Sequence, residues 1–123
     1  QIAPKYWSHL YSQWALAEKK RSRKWRHPRV LDKLRDGRKK GDPDDPEINL
    51  MWSRYHLEKR RPDNDAAIKS LRRVVAAAPY HCDAFEALRT LYINEDRDGD
   101  LEKLEETRDP DCPAPDKKKS GEK

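Results

Sequence analysis

A chain of 123 residues, 41% of them charged and 34% hydrophobic, has room for one small domain and little apolar surface to bury. No stretch stays apolar for the length that spans a bilayer, which excludes a transmembrane helix, and no secretory signal stands at the start. The net charge of +5 conceals an imbalance: residues 1–40 sum to about +10 and the remainder to about −5.

Four Trp, five Tyr and regular Leu spacing argue against full disorder. The first predicted element is a helix over 6–25. Trp7, Leu10, Tyr11 and Trp14 recur at three and four residues, which lays an aromatic stripe on one helical face. Pro4 suits the position before the start. The stripe is expected to pack on the body of the protein, with docking onto another protein or RNA as the alternative.

The run KKRSRKWRHPR, residues 19–29, follows. Lys19, Lys20, Arg21, Arg23, Lys24, Arg26 and Arg29 are of the type that neutralises phosphates. Trp25 in their midst is a candidate to stack on an exposed base or to lie over an Arg. No specific nucleic-acid motif surrounds the run, so the expectation is general: contact with RNA or with an acidic partner. His27-Pro28 interrupts the helix, because proline disfavours helical geometry in the residue before it. A short helix over 29–36 then turns Val30, Leu31 and Leu34 inward, with Gly37 expected just past its end.

Residues 38–47, RKKGDPDDPE, read as a linker. Within it, Asp45-Pro46-Glu47 marks a helix start, with Asp as cap, Pro in the first turn and an acid at the positive end of the dipole. That helix is expected to reach about Arg60 and to present Leu50, Met51, Tyr55 and Leu57, with Trp52 to one side. A turn over 61–64 leads to a helix over 65–78 whose apolar face is Ala67, Ile68, Leu71, Val74 and Val75. Pro79 ends it. The next helix, 83–93, buries Phe85, Leu88 and Leu91 or Tyr92. A short segment over 101–108 carries Leu101 and Leu104. No segment alternates with period two. The fold class is therefore all-α, a small helical bundle with repeat-like hairpins. It divides into a basic N-terminal arm (1–41), a helical-hairpin domain (42–108) and a disordered tail (109–123).

The phase of Ala67, Leu71 and Pro79, followed by Phe85, Leu88 and Tyr92, resembles the tetratricopeptide repeat over residues 48–106. In that family the first set falls on a second helix and the next set on the first helix of the following repeat. Arg89 departs from the pattern, standing where the family prefers a small residue. The resemblance implies a scaffold that grips other macromolecules. A competing resemblance is to the EF-hand loop, over residues 94–105. There Asn94, Asp96 and Asp98 would donate side-chain oxygens, Asp100 its carbonyl and Glu105 both carboxylate oxygens, with Glu102 acting through water and Gly99 at the sharp turn. It implies calcium as a cofactor; the leading reading has none and takes the loop as an unliganded turn.

Cys82 and Cys112 match no zinc spacing. Two free thiols in a reducing compartment are the expectation, and one disulfide in an exported protein is the alternative. An intracellular location is favoured over secretion, with a cleaved organellar leader as one explanation of a chain that starts at Gln1. Catalysis lacks a signature: there is no glycine-rich phosphate loop, nucleophile elbow or paired-histidine zinc motif. The function expected is a non-enzymatic assembly subunit, such as one of a ribonucleoprotein, whose basic arm contacts RNA or an acidic protein. The alternative is a secreted, EF-hand-like calcium binder.

Overall fold

The computed structural model describes residues 3–112. Among the described residues six helices follow one another: α1 (Pro4–Ser22), α2 (Pro28–Lys40), α3 (Pro46–Glu58), α4 (Asn64–Ala77), α5 (Cys82–Asn94) and α6 (Asp98–Glu106). No strand occurs among the described residues, and the protein is an all-α bundle. Of the tail expected over 109–123, residues 113–123 lie outside the described residues, whereas 109–112 are placed, with Cys112 buried and bonded to Cys82.

Local chemistry sets the helix starts. Prolines open α1, α2 and α3, where a missing N–H costs nothing. Asp45 Oδ2 accepts from Ile48 N at 3.0 Å and Asp63 Oδ1 from Ala66 N at 3.0 Å, which caps α3 and α4. His27, expected only as an interruption, is itself a cap: its Nδ1 accepts from Arg29 N at 3.1 Å.

Two hydrophobic clusters share α3. Tyr11 and Ala15 of α1, Trp25, Val30 and Leu34 meet Ile48, Met51 and Trp52 on one side of it. Leu50 faces the other side, against Ala67, Ile68, Leu71 and Val74 of α4 and Phe85, Leu88, Leu91 and Tyr92 of α5. The basic N-terminal segment is thus a helical hairpin packed on α3.

Three sequence expectations need correction. Gly37 does not end α2; it is buried within it, at a close approach of helices. A Cβ there would lie 2.9 Å from both Tyr11 Cβ and Ile48 Cδ1, so only glycine lets α2 come this near to α1 and α3. The helix runs on to Lys40, and Gly41 takes the cap. The aromatic stripe of α1 is also rotated from its expected position. Ser8, Tyr11, Ser12 and Ala15 are the buried residues, because small side chains permit this approach, while Tyr6, Leu10 and Trp14 stay exposed. Leu57 is exposed rather than inward.

Ser8 and Asn49, buried at the α2–α3 junction, find hydrogen-bond partners there. Ser8 Oγ accepts from Asp42 N at 2.7 Å. Asn49, fully buried, donates to the carbonyls of Pro43 and Asp45 and accepts from Arg38 Nη2 at 3.0 Å. This junction is the segment expected as a linker; five residues of it, 41–45, are non-helical.

Candidate polyanion site

The basic run forms the last turn of α1, the connection to α2 and the first turn of α2. Lys19, Lys20 and Arg21 occupy the end of α1, where cations suit the negative end of the helix dipole. Arg23 closes the helix in the left-handed conformation, at φ 66°. The chain then turns back, and Glu58 at the end of α3 holds the turn: its Oε1 accepts from Trp25 N at 3.1 Å and its Oε2 from Arg26 N at 3.2 Å.

This anchoring draws Trp25 inward. Its side chain is 9% exposed and belongs to the cluster around Val30, Leu34 and Trp52. Lys19 Nζ lies 5.2 Å and the Arg54 guanidinium 5.8 Å from its ring centroid, as cation–π partners. The stacking role expected of Trp25 is therefore corrected: the ring fills the core, and no base can reach it in this conformation.

The cations divide in the same way. Lys19 lies half-buried against Trp25, and Arg21 pairs with Glu18 at 3.4 Å. Lys20, Arg23, Lys24, Arg26 and Arg29 are exposed and make no ion pair with a carboxylate among the described residues. Five cations outnumber the single Glu58 carboxylate on this turn, and their excess raises a positive potential that reaches about 8 Å at physiological salt.

The hairpin topology adds residues that the sequence reading missed. Arg60 and Arg61, with Lys59, come from the α3–α4 turn and line a cleft of about 920 Å³ together with Arg26, Leu31 and Tyr55. Their signal in sequence is the EKRRP run at 58–62, but nothing local reveals that it stands beside Arg26. Asp63, Asn64, Asp65 and Glu95 form the opposite lip. Lys59 is tied to Asp63 at 3.8 Å, whereas neither Arg60 nor Arg61 pairs with a carboxylate among the described residues.

The residues expected to ligate calcium do not form a twelve-residue loop. Asn94 is the last residue of α5, only Glu95, Asp96 and Arg97 lie between helices, and Asp98, Asp100 and Glu105 are on α6. Arginines take up the side chains. Asp100 Oδ2 lies 2.8 Å from Arg97 Nη2 and 3.4 Å from Arg72 Nη2. Glu105 accepts from Arg89 Nε and Arg108 Nη2, each at 2.6 Å. Burial pushes the Glu105 carboxyl upward, but these two hydrogen bonds outweigh it and hold the group below its ordinary value. Among the described residues no cluster of three or more His, Cys, Asp or Glu is placed to hold a metal ion.

Cys82, the first residue of α5, is joined to Cys112 by a disulfide, with Cα atoms 5.5 Å apart. The expectation of two free thiols is corrected. Distance along the chain concealed the pair; the hairpin of α5 and α6 brings residue 112 back to the start of α5, where Cys112 is buried.

No helix among the described residues is long and apolar enough to cross a membrane. Neither a protein-family model, nor a curated protein, nor a solved structure matches the chain.

Proposed function

We propose that this protein is a non-enzymatic interaction module, a stack of helical hairpins that presents a basic end to a polyanionic partner. The observation that carries the reading is the set of five exposed cations, Lys20, Arg23, Lys24, Arg26 and Arg29, left without ion-pair partners among the described residues on a turn whose backbone is hydrogen-bonded to Glu58. Such a surface attracts phosphate backbones and acidic protein faces alike, through charge and without base readout. With Trp25 buried, affinity rests on charge alone.

The tetratricopeptide-like architecture remains part of the proposal. The second helices of the three hairpins begin at Pro28, Asn64 and Asp98, a recurrence of 34 to 36 residues. Three hairpins also meet the number that such arrays need for a continuous core. The disulfide favours an oxidising compartment over a reducing one. Within that setting an acidic protein face is the better-supported polyanion, and the RNA of a ribonucleoprotein is the competing one.

The test is fluorescence anisotropy with two probes, a polyglutamate peptide and a single-stranded RNA oligonucleotide, each titrated from low to physiological salt. Binding should weaken steeply with salt, and the double charge reversal K24E/R26E should lower affinity by roughly tenfold or more. Salt-independent binding, or binding indifferent to the reversal, would sink the reading. The tighter of the two probes identifies the partner class.

A further inference from the structure

A second concavity, of about 420 Å³, opens between α2, α3 and α4 and adjoins the first cleft at Asp63 and Asp65. Arg38 reaches it from α2, His56 from α3, and Lys69, Ser70 and Arg73 from α4. We propose that this cleft is a binding site for a phosphate-sized dianion, with Arg38, Lys69 and Arg73 as its charged walls and Ser70 as a hydroxyl donor. It is distinct from the basic turn and does not depend on the partner proposed there.

The protein leaves the cations around this cleft without carboxylate partners: Arg38, Lys69 and Arg73 make no ion pair with any carboxylate among the described residues. Lys69 and Arg73 stand four residues apart on one face of α4, where like charges repel. Arg38 comes from another helix to the same space, with its guanidinium stacked 4.8 Å from the Trp52 ring and its Nη2 fixed to Asn49 Oδ1 at 3.0 Å. It is a preorganised cation rather than a floppy one. Burial, and next the charge of Arg73, hold its guanidinium below the ordinary arginine value.

The two acids on the rim do not neutralise these groups. Asp63 caps α4 and pairs with Lys59 at 3.8 Å, and Asp65 faces Arg97 at 3.9 Å. Unused polarity adds to the case. Arg38 Nε and His56 Nδ1, on two of the residues that line the cleft, are buried and make no hydrogen bond among the described residues. Native proteins leave few buried polar atoms unsatisfied, and each that remains calls for a physical reason, of which a bound ion is one. Charge-assisted bonds from two arginines and a lysine to one tetrahedral anion would offset the repulsion among them.

The experiment is a titration of the full chain, as an isotope-labelled sample, with inorganic phosphate and separately with O-phosphoserine. Ionic strength is held constant and chloride serves as the control. Saturable backbone-amide shifts are expected at Lys69, Ser70 and Arg73. The variants K69Q and R73Q should each weaken the dissociation constant by roughly tenfold. Both positions are exposed and free of ion pairs among the described residues, so the fold should survive, which the dispersion of the remaining resonances checks. Tighter binding of inorganic phosphate would identify the free anion as the ligand, and tighter binding of O-phosphoserine would identify a phosphate monoester. Shifts that chloride reproduces, shifts confined to residues 20–29, or affinity unchanged in R73Q would each overturn the proposal.

Discussion

Glu58 and Trp25 are joined across the bundle by a hydrogen bond of 3.1 Å, from the backbone N–H of Trp25 to Glu58 Oε1. Its second oxygen accepts from Arg26 N, so one carboxylate satisfies two donors that neither α1 nor α2 can serve. Removing it in E58A should cost about 1–2 kcal/mol by urea denaturation, because the part-buried N–H of Trp25 loses its acceptor while the exposed N–H of Arg26 can turn to water. Amide exchange at residues 25 and 26 should accelerate in the same variant. Unchanged exchange would mean that the core contacts of Trp25 hold the turn without help.

Glycine substitutions separate packing from backbone freedom. G37A should destabilise by about 1–3 kcal/mol, since the new methyl would meet Tyr11 Cβ and Ile48 Cδ1 at 2.9 Å. G99A meets nothing within 4 Å and lies in the first turn of α6 with no positive φ. It should stabilise by about 0.4–1 kcal/mol. Thermal melts of the two variants should therefore move in opposite directions.

The Cys82–Cys112 bond closes a loop of 30 residues around α5 and α6. Reduction, or the pair C82S/C112S, should cost about 2–4 kcal/mol and bring unfolding of these two helices to lower denaturant. A thiol assay under denaturing conditions should find no free thiol until reductant is added.

Acid should weaken the fold in two steps. Burial first, then the positive charge of Lys59, hold His56 below the ordinary imidazole value, against the upward pull of Asp63. A depressed folded value means that the unfolded chain takes the proton more readily. The contribution of His56 is thus fully present above about pH 6.5 and fades as pH falls from there through the lower folded value. Glu105, also depressed, keeps its contribution until pH falls below the ordinary glutamate range. Asp45 opposes this second step, because burial raises its carboxyl and folding gains as it protonates. Urea midpoints should drop between pH 7.5 and 5.5, and H56Q should flatten that drop.

Calcium at millimolar concentration should leave the melting temperature unchanged. Asp100 and Glu105 would have to leave Arg97, Arg72, Arg89 and Arg108 before they could coordinate a cation. A saturable rise in melting temperature, abolished by E105Q, would instead restore the calcium reading.

The helices were legible in sequence because their signals are local. Asp45-Pro46 and the apolar period from Ala67 to Val74 announce a start and a face within a few residues, and both match what is observed. The features misread depend on partners far along the chain. Trp25 has basic neighbours in sequence, but its surroundings in space are Val30, Trp52 and the Glu58 carboxylate. Gly37 carries a helix-stop signal that only the proximity of Tyr11 and Ile48 overrides. The acidic segment from Asn94 to Glu105 fits a ligand template residue by residue, yet arginines at 72, 89, 97 and 108 reach it from outside the template. Of the candidate site, the cations of the α1–α2 turn were visible, whereas Arg60 and Arg61 required the hairpin to bring them beside Arg26.

Because α3 supplies one wall to each of two clusters, with Leu50 on one side and Ile48, Met51 and Trp52 on the other, neither half has a complete interior without it. The two halves are consequently bound to a common fate. Loosening the N-terminal hairpin exposes the Trp52 face of α3 and weakens its grip on α4, so damage near residue 15 should be felt near residue 70. The molecule behaves as a keystone arch, in which the piece that bears the thrust from both sides is the last that can be spared.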